Sequence, residues 1–275
     1  MTNGQPGESP LLLRRDGGIL WMTLNRPHAR QSIDRTLRDR LVDELRAADR
    51  DHSVRCIVIT SSGRYFCTGA DLSGGARTGA GSEGGSKRPP LIDARHGIEY
   101  YQELFRVLWD LETPVVTAVN GTVAGIGNLL ALLGDIVIAA EGTRFTSVFA
   151  DGGMVAHAGD PYFLSRIFPF HRLMEFALLR EKYTAEDLLA WNVINRVVPA
   201  GELESTAAAI ARRLAEGPTL ILGQTKKLYR RSLDWDMTTS FEADAMAIAV
   251  LSPTHDRKEG MQALIEGRKP EFTGE

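Results

Sequence analysis

Two cysteines in 275 residues, Cys56 and Cys67, offer no CxxC spacing and no neighbouring histidine cluster. A disulfide framework or a structural zinc site therefore has no ligand set to draw on, and both thiols are expected to be reduced and partly buried. Aromatic residues make up only 7% of the chain, and its 32 basic side chains are scattered among 35 acidic ones. A formal charge of −3 without a basic patch leaves no footprint for a phosphate backbone, so no nucleic-acid partner is expected. No apolar run reaches the roughly eighteen residues of a membrane span, and the opening MTNGQPGESP has neither a basic nor an apolar leader segment. The expectation is a cytoplasmic protein with no membrane partner. GxGxxG, GxxxxGK[ST] and GxSxG are also missing, which removes the signals for dinucleotides, nucleoside triphosphates and serine hydrolases.

What is present is an α/β pattern. Leu11 to Arg15 and Ile19 to Leu24, separated by Asp16-Gly17-Gly18, suit two strands joined by a tight turn. From Asp34 to Asp49, Leu37, Leu41, Leu45 and Ala48 mark one helical face, with Ser32 or Asp34 as its cap. Cys56 to Thr60 and Pro114 to Val119 are β-branched runs that read as strands buried on both sides. Ile92 to Leu111 returns to helical spacing, Asn128 to Leu133 suits a short helix, and Ile136 to Ala140 with Arg144 to Thr146 suit strands. Between Ser73 and Pro90 the composition cannot bury apolar surface, so a mobile surface loop is expected. Beyond Asp160 helical patterns dominate, and the last strand-like run ends at Val197-Val198.

Two glycine-containing turns follow buried strands: Phe66-Cys67-Thr68-Gly69-Ala70-Asp71-Leu72 and Asn120 to Asn128, NGTVAGIGN. Small residues at such turns let backbone N–H groups approach a ligand, and two converging donors make an oxyanion hole. Singly, each is as well explained as a tight turn. Together with LNRPHARQSID before them and THDRKEGMQALIEGRKPEF at the end, they make the chain resemble the crotonase superfamily, the enoyl-CoA hydratase/isomerase family, over nearly its whole length.

The resemblance implies a ββα spiral core over residues 11–200, after a disordered start at 1–10, and a C-terminal helical trimerisation region over 201–275. It also implies an acyl-CoA thioester as partner, no cofactor beyond the coenzyme A of the substrate, and a homotrimer or dimer of trimers. The oxyanion-hole N–H groups would be those of Ala70 and Ile126, where relatives carry glycine at the second position. Gly125 belongs to the same turn. His28, Ala29 and Gln31, with Gly69, Asp71 and Leu72, would line the CoA path, and Lys269 and Phe272 would close over it.

The acids depart from the family pattern. The two glutamates used by enoyl-CoA hydratases fall, by counting along the motifs, at Leu129 and Phe149. An acid–base group is worth about 10² to 10⁴ in rate, so ordinary hydration through those positions is expected to be crippled. His157, then Asp151, are the replacement candidates, because relatives place an acid on this segment around the position of His157. Asp160 precedes Pro161 and a helix, which suits an N-cap at least as well as catalysis. Three outcomes stay open: an altered hydratase or isomerase, a hydrolase on the same fold, and a catalytically silent acyl-CoA-binding protein.

Overall fold

The computed structural model of the protein describes residues 9–71 and 90–275. Leu72, most of the expected surface loop and the first eight residues lie outside the described residues; Pro90 opens a helix.

The chain begins with β1 (Leu11–Asp16) and β2 (Ile19–Leu24), an antiparallel hairpin in which Leu11 faces Leu24. Helix α1 (Arg35–Arg50) follows, capped by the Asp34 carboxylate, which accepts from the Leu37 N–H at 2.8 Å. Its Leu37, Leu41 and Leu45 are buried, as the spacing required. Strands β3 (Cys56–Ser61) and β4 (Tyr65–Cys67) lead toward α2 (Pro90–Asp110). Next come β5 (Val115–Val119), β6 (Thr122–Ala124) and α3 (Gly127–Leu132), then β7 (Ile136–Ala140) and β8 (Arg144–Thr146). After α4 (Asp160–Ile167) and α5 (Phe170–Leu179), β9 (Lys182–Thr184), α6 (Ala185–Ala190) and β10 (Arg196–Val198) complete the sheets. Four helices close the chain: α7 (Leu203–Ala215), α8 (Thr219–Ser232), α9 (Met237–Leu251) and α10 (His255–Glu266).

These strands form two sheets. One has the order β1-β2-β3-β5-β7-β10 and the other β4-β6-β8-β9. Three times the chain leaves the large sheet by a short turn and adds a strand to the small one: β3 to β4, β5 to β6, β7 to β8. Repetition of that step builds a ββα spiral. In the large sheet every pair beyond the opening hairpin is parallel, so its carboxyl ends gather on one side.

Alternation along β3 feeds two cores. Ile57 and Ile59 pack with α1, α2 and the small sheet, while Cys56 and Val58 pack with α7 through Ala207, Ala208 and Ala211. The cysteines, expected to be partly buried, are sealed, and burial pushes both thiols up to about 12. The small sheet was not evident as a sheet in the sequence, since β4, β6 and β9 have three residues each and too little alternation to register.

Turn β5–β6 depends on Gly121. A Cβ there would stand 2.1 Å from the Arg64 carbonyl oxygen, so no other residue fits without moving the backbone. Gly121→Ala is expected to lower the unfolding free energy by about 1–3 kcal/mol in urea titrations. Gly201→Ala, where the space is open, should stay within about 0.5 kcal/mol.

Candidate active site

The carboxyl ends of β2 and β3 lie beside the first turn. The segment from Pro27 to Ile33 is tied to it by Thr68 Oγ1, which donates to the Arg30 carbonyl, and by the Ile33 N–H, which donates to the Gly69 carbonyl at 2.8 Å. The Asp71 N–H returns a bond to the Ile33 carbonyl at 3.0 Å, making a one-residue parallel bridge opposite Ala70. Arg26 locks the far side, 2.8 Å from Asp71 and 3.1 Å from Asp34. The turn is held from both directions while the Ala70 N–H is left over.

The second turn meets the first backbone to backbone. Gly69, at φ +96°, has room for a hydrogen but not for a side chain: a Cβ would lie 3.1 Å from the Ala124 carbonyl oxygen and 3.5 Å from the Ile126 nitrogen. Gly125, at φ +54°, faces the Gly69 Cα, and a Cβ on Gly127 would fall 2.3 Å from the Cys67 carbonyl oxygen. Three glycines thus permit two strand ends from different turns of the spiral to touch. Ile126 sits just before α3, and its carbonyl accepts from the Leu129 N–H. Among the described residues neither the Ile126 N–H nor the Ala70 N–H has an acceptor. Two neighbouring, unspent N–H donors are what an anionic oxygen needs.

Around this cradle the surfaces are apolar. Leu129 in the first turn of α3 and Phe149 after β8 are both buried in the main core with Ile126. His157 packs edge-on to the Phe149 ring, centroids 4.7 Å apart. Its Nδ1 lies 2.9 Å from the Val155 carbonyl, which can only accept, so Nδ1 donates there and in the neutral ring Nε2 keeps its lone pair.

Several expected site residues are placed otherwise. Asp151 is exposed and paired with Arg180 at 3.0 Å, which orients it away from any proton-transfer task. The Gln31 side chain is fully buried; it accepts from the Arg26 N–H and donates to the Ser62 carbonyl at 2.6 Å, so it braces the turn instead of lining a ligand path. His28 and Gln31 border a surface cleft of 370 Å³ with Ser62 and Tyr65, and Ala29 lies beside them, half-buried. Lys269 and Phe272 lie at the other end of the sheet, beside Asp16, Gly17 and Arg55. The β2–β3 register, Ile19 to Cys56 and Leu24 to Ser61, separates that end from Gly69 by a six-residue strand, roughly 20 Å. Within one chain they do not close over the cradle. Glu103 of α2 is held by Arg38 and Arg46.

Asp160 is the residue that sequence reasoning underweighted. The N-cap of α4 is Gly159, at φ +97°, and Asp160 is the first helical residue with no capping bond from its side chain. It is 6% exposed, shares the inward face of α4 with Phe163 and Leu164, and α4 packs against α3. No hydrogen bond or ion pair of its carboxyl occurs among the described residues. Burial alone pushes that carboxyl up to about 7.

With this geometry in view, the relatives are informative. The enoyl-CoA hydratase/isomerase family matches residues 14–275. The 1,2-epoxyphenylacetyl-CoA isomerase of Escherichia coli (strain K12) is 34% identical over 265 residues, 96% of this chain and 98% of its own. The 2,3-dehydroadipyl-CoA hydratase of the same organism is 30% identical, covering 97% and 99%. A crystal structure of a putative enoyl-CoA hydratase from Streptomyces coelicolor A3(2) superposes with a TM-score of 0.88 at 27% identity, over 100% of this chain and 98% of that one. Two stacked sheets built by a ββα spiral, with paired N–H donors where two turns meet, define an acyl-CoA-handling fold. The chain belongs to the enoyl-CoA hydratase/isomerase family of the crotonase superfamily.

The raised Asp160 carboxyl has a consequence for stability. Below pH 4 it is protonated in both folded and unfolded chains; between pH 4 and about 7 the unfolded chain ionises there and the folded one does not. Its contribution to stability should therefore be fully retained at low pH, decline across that window and be lost above it. Asp160→Asn should remove this decline, read as the wild-type minus variant difference in urea midpoints from pH 4 to 8.

Proposed function

We propose that the protein binds an acyl-CoA thioester, seats its carbonyl oxygen between the Ala70 and Ile126 N–H groups, and stabilises the enolate formed when a proton leaves the acyl chain. The carrying observation is the pair of acceptor-free donors held together by Gly69, Gly125 and Gly127. Each such donor contributes typically about 3–4 kcal/mol as charge develops on the oxygen. Both enzymes named above act on CoA thioesters by their names, one an isomerase and one a hydratase.

Leu129 and Phe149 stand where the hydratase glutamates fall by counting, so the acid–base work moves to other groups. His157 takes the role of base: it lies against Phe149, and its bond to Val155 leaves Nε2 as the proton acceptor. His28 and Ala29, with the backbone of Gly69 and Asp71, form the path along which the CoA arm approaches. This arrangement suits isomerisation or proton exchange more than water addition, because the two positions where carboxylates would hold a water are the apolar Leu129 and Phe149. A silent binding protein is the second reading, favoured by the same two apolar residues.

Assembly follows from α9. None of its residues is buried, yet Phe241, Met246, Ile248 and Val250 are each more than 60% exposed. A helix so apolar and so uncovered needs a partner, and a second and third copy of this chain are the proposed ones.

Three measurements bear on these assignments. Ala70→Pro removes one donor and should abolish turnover and α-proton exchange while the thermal melt stays cooperative; an unchanged rate would sink the cradle. His157→Ala should slow exchange into deuterated water about 100-fold on the acyl-CoAs that the wild type accepts, whereas tight binding without exchange in the wild type would favour the silent binder. Light scattering should give a trimer or hexamer, and Phe241→Asp with Val250→Asp should shift it toward monomer.

A further inference from the structure

An enolate isomerase can return the proton through the base that took it or through a second carrier. Once a base has taken a proton from the acyl chain, a proton must be delivered to a carbon of the enolate, and a donor that stays protonated near neutral pH serves best. Resting on the acyl-CoA reading above, we propose that Asp160 is that donor, working with the Nε2 of His157.

The case is geometric first. Asp160 lies three residues beyond His157, and its N–H donates to the His157 carbonyl at 3.1 Å, so one turn of chain carries both groups. On α4 it occupies the buried face with Phe163 and Leu164, and that face packs on α3, whose first residue follows Ile126. The side chains of Ile126, Leu129, Phe149, Phe163 and Leu164 belong to one contiguous core. Asp160 thus shares a helix face with Phe163 and Leu164, members of the same core as Ile126, Leu129 and Phe149.

A carboxyl in such a place is costly without a partner, and among the described residues it has none. Among the described residues, α3 carries no ionisable residue, Tyr162 and Arg166 of α4 both turn to Asp234, and on α5 Arg172 pairs with Glu175 while His171 is exposed. On α2, Glu103 is held by Arg38 and Arg46, and Asp110 by Arg231. Asp151 is taken by Arg180, leaving His157 as the ionisable neighbour on the same loop. At the start of α4 the N-cap is Gly159 and Pro161 follows in the first turn, and the Asp160 carboxyl makes no capping bond. Buried, unpaired acids are kept where chemistry uses them. The upward push on its proton affinity agrees with a carboxyl that is still protonated at neutral pH.

The proton balance closes. His157 Nε2 takes one proton from the acyl chain, giving the enolate held by Ala70 and Ile126. Asp160 gives one proton to an enolate carbon, leaving product, imidazolium and carboxylate. Solvent then removes the proton from His157 and returns one to Asp160, with no oxidant, reductant or added water consumed.

The test compares wild type, Asp160→Asn and Asp160→Glu against a panel of saturated, 2-enoyl and 3-enoyl CoA thioesters. Binding is read by calorimetry, and isomerisation with deuterium incorporation by mass spectrometry, from pH 5 to 9. Expected is a wild-type rate that falls as pH rises past about 7 on its alkaline side, a loss of about 100-fold in Asp160→Asn with binding unchanged, and partial rescue in Asp160→Glu. A variant merely weakened in structure would lose binding and melt early. The proposal is overturned if Asp160→Asn keeps its rate and alkaline limb within threefold, or if the wild type binds thioesters yet moves no proton on any of them. Failure of the wild type to bind any thioester would instead overturn the acyl-CoA reading on which it rests.

Discussion

Everything at the candidate site depends on the contact between two backbone turns. Gly69 approaches Ala124 and Ile126 so closely that a methyl group would intrude, and Gly127 does the same to Cys67. Such contacts have no side chains to cushion them, so they are held from outside. Arg26 on Asp71, the Ile33 bridge to Ala70 and the Gln31 brace to Ser62 fasten one turn. The Asn128 amide, donating to the Gly125 and Thr146 carbonyls, fastens the other. What remains after these bonds are made is a pair of neighbouring N–H groups, those of Ala70 and Ile126, without an acceptor among the described residues.

The spiral explains why two distant turns can meet. Each circuit places one strand in the six-stranded sheet and the next in the four-stranded sheet, so β4 and β6 run parallel side by side although α2 separates them in sequence. The turns that follow β4 and β6 inherit that adjacency. A solved structure 27% identical shares this architecture, which leaves the side chains on its loops free to differ.

That freedom is visible on the loop from Phe149 to Asp160. It presents an aromatic ring, an imidazole whose Nδ1 lies against the Val155 carbonyl, and a largely buried carboxyl. Burying a carboxyl without a counter-charge costs folding free energy above neutral pH, and the surrounding cores absorb that cost. In the C-terminal helices the unmet need is apolar instead of polar: α7 covers the sheet, whereas α9 lies along α8 with none of its own residues buried.

Local signals account for most of what could be read without coordinates. The leucine spacing and Asp34 cap of α1, the β-branched runs of β3 and β5, the opening hairpin and the C-terminal helices are set by neighbours within a few residues, where period and capping chemistry act. The motif order identified the family for the same reason, since glycines demanded by close contacts leave a durable trace. Partnerships between distant segments left no such trace. The three-residue strands acquire meaning only beside one another, Gln31 looks like a ligand contact until Ser62 is brought to it, and Lys269 with Phe272 end on the far edge of the sheet. Gly-Asp-Pro before a helix reads as a cap, and only the packing of α4 on α3 makes Asp160 a buried acid, because burial is a property of the surroundings and not of the residue.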